Sequence, residues 1–468
     1  MQFNSYEFIF LFLPLFLIIY FLGNHINDKL NRWLIILAGF IFYSFTGLSS
    51  FIVFLISVLL NYVFSRLLII SPKYKRVVFT FAVLFNVLTL LVYKLWGVLD
   101  GLVLPLGISF FTFQQIMFLS YVSKENIQSS LIIDYLAYIS FFPKLLMGPL
   151  AEPEYIIDQI NDPVKKRVNW HNIAAGLKLF SFGLFKKMVL ADTFARCVNW
   201  GFDSIESATS GDLFLVMISY TFQIYFDFCG YFDMAVGTSK MLNIELPNNF
   251  DSPYKATSIK EFWRRWHISL TSFFTKYVYY PLGGNRKGRI RTYVNIMIVF
   301  LVSGLWHGSN WTFILWGGIH GGLQVLERVF SRFYKKTFEV VQWIYSFTAI
   351  NILWLLFRAD SVSQWHYILY KIFTFQSTAI SDEVIELFDL TEINMILQFL
   401  KVSNISSAIR GFSMLLIFFA GFFICLVPEN NYKTREHLNL FNMILAAVAF
   451  TWGILCLNTE SVFVYYGF

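Results

Sequence analysis

The sequence predicts an all-α, polytopic membrane protein with about 11–13 spanning or re-entrant helices. Two observations carry that prediction. The first is composition: the 468 residues are 57% hydrophobic and 14% charged, where a soluble domain carries about a quarter charged residues. Mean hydropathy is +0.59 and Phe alone fills 55 positions. Such a chain cannot cover itself with polar surface, so its solvent is a bilayer. The second is pattern: apolar runs alternate with short basic loops along the length of the chain.

Each element follows from that pattern. Glu7 to Gly23 is apolar, lacks a basic leader and runs into NHINDKLNR, so it reads as a retained span rather than a cleaved signal. Further spans are expected at 33–48, 50–70, 77–98, 103–122, 131–150, 172–190, 211–228, 292–307, 311–327, 340–357, 411–428 and 440–458. Those at 33–48, 103–122 and 292–307 fall short of a straight crossing of ~20 residues and are expected to be tilted, re-entrant or half-buried. LPLGISFFTFQ (104–114) places Pro and Gly where a helix would break. Broken backbone at membrane depth is tolerated only against protein or a wet cavity. The basic loops at 71–76, 165–167, 285–291 and 331–336 predict the cytoplasmic side, which puts the N-terminus outside. The acidic stretch 376–400 has no Lys or Arg and is expected outside the cell. The whole of 1–468 reads as a single membrane domain.

Two function classes are disfavoured. The net charge of +7 is spread over loops rather than one stripe, against a nucleic-acid partner. Cys197, Cys229, Cys425 and Cys456 are scattered without a C-x-x-C, against a zinc site or disulfide framework; no metal is expected.

The stretch 244–291 is too polar to span and too aromatic for a free loop. An interfacial helix followed by a partly inserted segment fits it. Within it, EFWRRWHISL (261–270) holds His267. On one helix Glu261 and Arg265 would pair at i, i+4, and Arg264 and His267 would stand at i, i+3. SGLWHGSNW (303–311) holds His307, 16 residues beyond Arg291. At ~1.5 Å per helical residue that is about 24 Å, deep in a hydrocarbon core of ~30 Å. The chain then turns, giving a hairpin with the histidine near its tip. Ionisable side chains at that depth mark function, and the flanking Gly304 and Gly308 allow another backbone or a substrate close. FQIYFDFCGYFDMAVG (222–237) carries Gln223, Asp227 and Asp233 in an apolar frame. Carboxylates there need partners, in the Arg264/Arg265 region or among backbone donors. His320 reads as packing, and His25, His171, His366 and His437 as solvated.

LPLGISFFTFQQI (104–116), FFPKLLMGPL (141–150), YFDFCGYFDMAVG (225–237), NNFDSPYKATSIKEFWRRWHISLTSFFTKYVYYPLGGNRKG (248–288) and GLWHGSNWTFILWGGIHG (304–321) come in this order. Together they resemble the membrane-bound O-acyltransferases, most of all the bacterial branch that acetylates exported polysaccharide. The resemblance implies a helical bundle around a central funnel in the bacterial cytoplasmic membrane. It implies that His307 is the catalytic histidine and His267 the second one. It also implies a cytoplasmic thioester donor, acetyl-CoA, with no tightly bound cofactor, and a secreted or membrane-anchored esterase-like partner. GPLAEPEYI (148–156) departs from the pattern: relatives often carry a basic residue after G-P, and this loop carries Glu152 and Glu154. Beside the histidines, Asn310, Trp306, Arg264, Arg265, Asp227 and Gln223 are candidate substrate contacts, with Asn310 a candidate oxyanion donor. Arg286, Lys287, Arg289 and Arg291 are candidate contacts for donor phosphates. Two other readings stay open: a D-alanyl transferase acting on teichoic acid, and a transporter or export channel whose histidines relay protons.

Overall fold

The computed structural model describes residues 1–27, 29–96, 104–124, 131–334, 336–390, 392, 395, 407–457 and 463. No strand occurs among them. Among the described residues six helices are long and apolar enough to cross a membrane: Glu7–Ile26, Leu48–Ile70, Pro72–Lys94, Ser210–Met241, Gly288–His307 and Glu339–Arg358. Leu30–Ser44, Gly411–Leu426 and Leu440–Leu455 are apolar but shorter. The chain is an all-α, multi-pass membrane protein. The junction of the expected spans at 77–98 and 103–122 lies outside the described residues, as do 391, 393, 394 and 396–400 of the acidic stretch.

The backbone divides into two compact units. One comprises Met1–Leu184, Tyr231–Asn249 and Asn431–Asn458. Its Leu48–Ile70 and Lys75–Leu91 helices are joined by two buried amides, Asn86 Nδ2 donating to Asn61 Oδ1 at 2.7 Å and Asn61 Nδ2 to Asn86 Oδ1 at 3.2 Å. Between apolar helices such amides are worth about 1 kcal/mol. The break expected at 104–114 is present. Gly107 takes φ +75°, and a Cβ there would stand 2.9 Å from the Leu146 carbonyl oxygen, so only glycine fits before the Ile108–Lys124 helix. The span expected over 131–150 is shorter: the helix ends at Ser140 and a single turn, Phe142–Leu145, follows. Pro143 breaks the ladder. Lys144 is held inside by Gln114 Oε1 at 2.5 Å and the Tyr138 ring at 3.6 Å.

The second unit comprises Phe185–Gly230, Phe250–Asn430 and Thr459–Phe468. The helix expected over 211–228 does not stop at its acidic residues but runs 32 residues, Ser210–Met241. Protein covers 89% of its apolar window, and Asp227 is neutralised in place by Lys187 at 2.6 Å. The partner is therefore Lys187, not Arg264 or Arg265. Further along the same helix, in the first unit, Asp233 accepts from Asn431 at 3.4 Å. Within the 244–291 stretch the backbone forms several short elements. It resolves into Ile259–Arg265, Ile268–Phe274 and the π turn Thr275–Tyr279.

Candidate active site

The hairpin begins at a basic turn. Gly283, Gly284 and Gly288 have φ of +104°, +57° and +83°, and Asn295 Nδ2 pins the Gly284 carbonyl at 2.8 Å. The Gly288–His307 helix follows and ends on His307. Asn310 then caps the returning Trp311–Val329 helix by accepting from Thr312 N at 3.3 Å. A Cβ on Gly304 would meet the Phe313 carbonyl oxygen at 2.4 Å, and one on Gly317 the Phe300 carbonyl at 2.3 Å. Gly304 and Gly317 therefore admit a second backbone, while a Cβ on Gly308 would meet the Phe313 ring at 2.7 Å. His307 is 7% exposed and sits in an aromatic box, with ring centroids of Trp306, Phe357 and Trp316 at 4.5, 4.8 and 5.3 Å.

His267 reaches the same place by a different device. The Ile259–Arg265 helix is capped twice: Ser258 Oγ accepts from Glu261 N at 3.1 Å, and Glu327 accepts from Ile259 N at 2.7 Å and Lys260 N at 3.2 Å. Both partners suit the positive end of a helix. The helix stops at Arg265, whose Nη2 reaches Glu261 at 2.7 Å while its Nη1 donates to the Asp251 carbonyl at 3.1 Å. His267 then adopts φ 45°, ψ 53°. This left-handed conformation costs an ordinary side chain roughly 1–2 kcal/mol. The expected i, i+3 relation of Arg264 and His267 is thus absent: one helix ends between them and His267 caps the next.

The two histidines line one small cavity of about 20 Å³ with Trp316, Trp354 and Phe357. That volume holds roughly one water. A larger cleft of about 260 Å³ lies next to it, lined by Tyr279, Gln324 and Arg328 among others. Trp263, Leu270 and Ser303 line both spaces and so form the wall between them. Trp263 is held there by His320, whose Nδ1 accepts from the indole Nε1–H at 3.2 Å. His320 therefore does more than pack. Accepting at Nδ1 places its proton on Nε2, a tautomer assigned from that bond. Trp316 Nε1–H is buried with no acceptor among the described residues.

The other sequence candidates lie elsewhere. Asn310 also donates to the Asp360 carbonyl at 2.7 Å, so its amide serves the turn. Trp306 packs on His307 without lining the cavity. Gln223 is 8% exposed and outside both linings, and Asp227 is taken by Lys187. Arg264 is 76% exposed, 3.7 Å from Glu261. Arg286, Lys287, Arg289 and Arg291 are exposed beside the basic turn. Sequence reasoning missed Ser303, Trp316 and the Trp263–His320 bond. Ser303 had a signal: it precedes His307 by four residues, the spacing of one helix face.

Two imidazoles enclosed by a helical membrane bundle, with a cleft against them, define a polytopic membrane enzyme. The chain belongs to the membrane-bound O-acyltransferase family, MBOAT, whose sequence pattern matches residues 109–360; it is an acyltransferase. It is 34% identical over 522 residues to a peptidoglycan O-acetyltransferase of Helicobacter pylori, covering 100% of this chain and 97% of that protein. It is 34% identical over 385 residues to a probable alginate O-acetylase, AlgI, of Pseudomonas putida, covering 77% of this chain and 78% of that protein. A teichoic acid D-alanyltransferase of Bacillus subtilis is 27% identical over 277 residues, 55% of this chain and 70% of that protein. These similarities place the enzyme among the O-acetyltransferases.

Proposed function

We propose that the protein moves acetyl groups from a cytoplasmic thioester, acetyl-CoA, to hydroxyls of an exported cell-surface polysaccharide. The observation that carries this is the pair His267 and His307 around one void, with a cleft separated from it by a single wall. The full-length similarity to a peptidoglycan O-acetyltransferase favours a cell-wall glycan as the final acceptor. An esterase-like protein outside the cell is a natural relay. The membrane is the bacterial cytoplasmic one, with the basic turn inside.

The donor enters by the cleft. Gln324 and Arg328 lie on its walls, and the exposed Arg286, Lys287 and Arg289 raise the local concentration of its phosphates. The thioester carbonyl meets the wall at Ser303, one helical turn before His307. His307, as general base, takes the proton of the attacking hydroxyl. The new C–O bond forms as the C–S bond breaks. The same proton passes to the departing thiolate, so the products are an ester and free CoA thiol. Trp316 Nε1–H and His267, both in the cavity lining, are candidate donors to the developing oxyanion. A void of about 20 Å³ admits little beyond a methyl group, in keeping with acetyl as the cargo.

A general base is worth about 10²–10⁴-fold. Purified His307→Ala, given labelled acetyl-CoA and an acceptor, is expected to lose CoA release by at least about 10²-fold while eluting and melting like the parent. Undiminished release would sink the assignment. The same assay with a carrier-bound D-alanyl thioester separates the teichoic acid reading.

A further inference from the structure

The short Ile259–Arg265 helix is gripped at two points by one face of the Trp311–Val329 helix. Glu327 takes the N–H groups of Ile259 and Lys260 at 2.7 and 3.2 Å. His320, seven residues earlier and so on the same helical face, takes the indole N–H of Trp263 at 3.2 Å. The two grips differ in what they hold. Glu327 fixes backbone, whereas His320 fixes a single side chain. Among the described residues that indole N–H has no other acceptor. The indole stands between the two spaces of the site. Its centroid is 5.4 Å from that of Phe300, in the cleft lining, and 5.5 Å from that of Trp316, in the lining of the histidine void. The imidazole that holds it is itself held, 4.8 Å from the Trp316 ring and 6.1 Å from that of Phe300. A Cβ on the adjacent Gly321 would stand 2.9 Å from the Met297 sulfur, so the helix carrying His320 is drawn tight against Gly288–His307.

Trp263 is the largest of the three side chains shared by both linings, beside Leu270 and Ser303. Turning its ring off the His320 nitrogen joins cleft and void without moving either long helix. We infer that His320 is a positioning residue whose Nδ1 latches the Trp263 indole across the passage between the cleft and the histidine void, keeping a thioester in the cleft from His307 and from water until the latch opens. The inference rests on the reading of the cleft as the entry of the donor. The step that the latch restrains is hydrolysis, a side reaction that closed active sites suppress. With the ring turned away and no acceptor present, water attacks the thioester carbonyl and His307 takes one of its protons. The C–O bond forms as the C–S bond breaks, and that proton passes to the departing thiolate, leaving acetic acid and CoA thiol. A hydrogen bond of ordinary net strength shifts such a closed-to-open population by about fivefold.

The test reads the latch and the reaction separately, on the full chain purified in detergent with fluorotryptophan in place of Trp. The Trp263 fluorine resonance is identified by its absence from Trp263→Phe. His320→Phe keeps a flat ring but removes the acceptor. It is expected to move that resonance and to raise CoA release from acetyl-CoA, with no acceptor added, about fivefold. His320→Asn, whose Oδ1 stands near the place of Nδ1, is expected to return both toward the parent. Trp263→Phe breaks the same bond from the other side and is expected to raise hydrolysis on its own. In that background His320→Phe is expected to change nothing further, a coupling that independent structural damage does not produce. A Trp263 resonance unmoved in His320→Phe, hydrolysis no faster than the parent's in either single variant, or additive effects in the double variant would each overturn the latch. Should His320→Phe not fold, His320→Asn against Trp263→Phe carries the comparison, and equal hydrolysis in those two overturns it. A parent that releases no CoA with or without acceptor would sink the acetyl-transfer reading instead, and the resonance then decides the latch by itself.

Discussion

His267 combines a left-handed backbone with a place in the lining of the candidate site. A non-glycine residue in the left-handed region persists only where its surroundings over-determine it, and such residues gather at functional sites. Here the Arg265 guanidinium, committed to Glu261 and the Asp251 carbonyl, fixes the helix end that forces the turn. The role can be separated from the fold by choice of substitution. Asn tolerates φ > 0 better than most residues, so His267→Asn is expected to keep the parent's melting temperature while acetyl transfer falls. A variant as active as the parent would remove His267 from the chemistry. Ser303 asks a different question of the same cavity. If the acyl group passes directly from thiol to acceptor, Ser303→Ala should retain activity within about tenfold, whereas a serine-bound intermediate would make it as damaging as His307→Ala. Trapping labelled acetate on the purified protein, with and without Ser303, decides the matter.

Among the elements, the short Ile259–Arg265 helix carries a disproportionate share of the site. It places Trp263 in the wall and leads into His267, yet seven residues cannot hold a helix unaided. Its N-terminus depends on Ser258, Glu261 and Glu327. Partial burial pushes the Glu261 carboxyl up, but hydrogen bonds from Arg265 and Thr257 and the nearby guanidinium charge outweigh it, holding the pKa below 4.5. A depressed carboxyl stabilises the fold fully above its unfolded pKa and loses that contribution as pH falls through the folded value. Acidification below about pH 4.3 is therefore expected to speed amide exchange at Thr257, whose N–H bonds Glu261 Oε2 at 3.1 Å. In Glu261→Gln that pH step should be missing, with exchange already faster at pH 7. A parent whose Thr257 exchange is unchanged by acid, once corrected for intrinsic rates, would show that Glu261 does not hold the helix.

Across the whole molecule, what could be read in advance was what is written locally. The hairpin was legible because SGLWHGSN joins an apolar run, two glycines and a basic cluster at helical spacing. The break before Ile108 was legible because Pro and Gly stand together. The turn at His267 was not, since EFWRRWHISL has the pattern of a continuous helix and the break depends on Asp251, 16 positions upstream of His267. Nor was the Lys187–Asp227 pair, whose members lie 40 positions apart in two runs that each look like a span. Long-range pairing of this kind has no local signature, and it is what lets the Ser210–Met241 helix continue through its acids. The arrangement across the bilayer can be tested with one chemistry. All four native cysteines are buried, so an introduced thiol reports with little background. Lys287 and Ser309 are both exposed, at opposite ends of the Gly288–His307 helix. That helix has 20 residues, about 30 Å at ~1.5 Å per residue, enough for the hydrocarbon core. In intact cells a membrane-impermeant maleimide is expected to label Ser309→Cys and to reach Lys287→Cys only after permeabilisation. Labelling of both from one side would mean a hairpin that does not cross, and would deny His307 the access from the outer face that the proposed transfer requires.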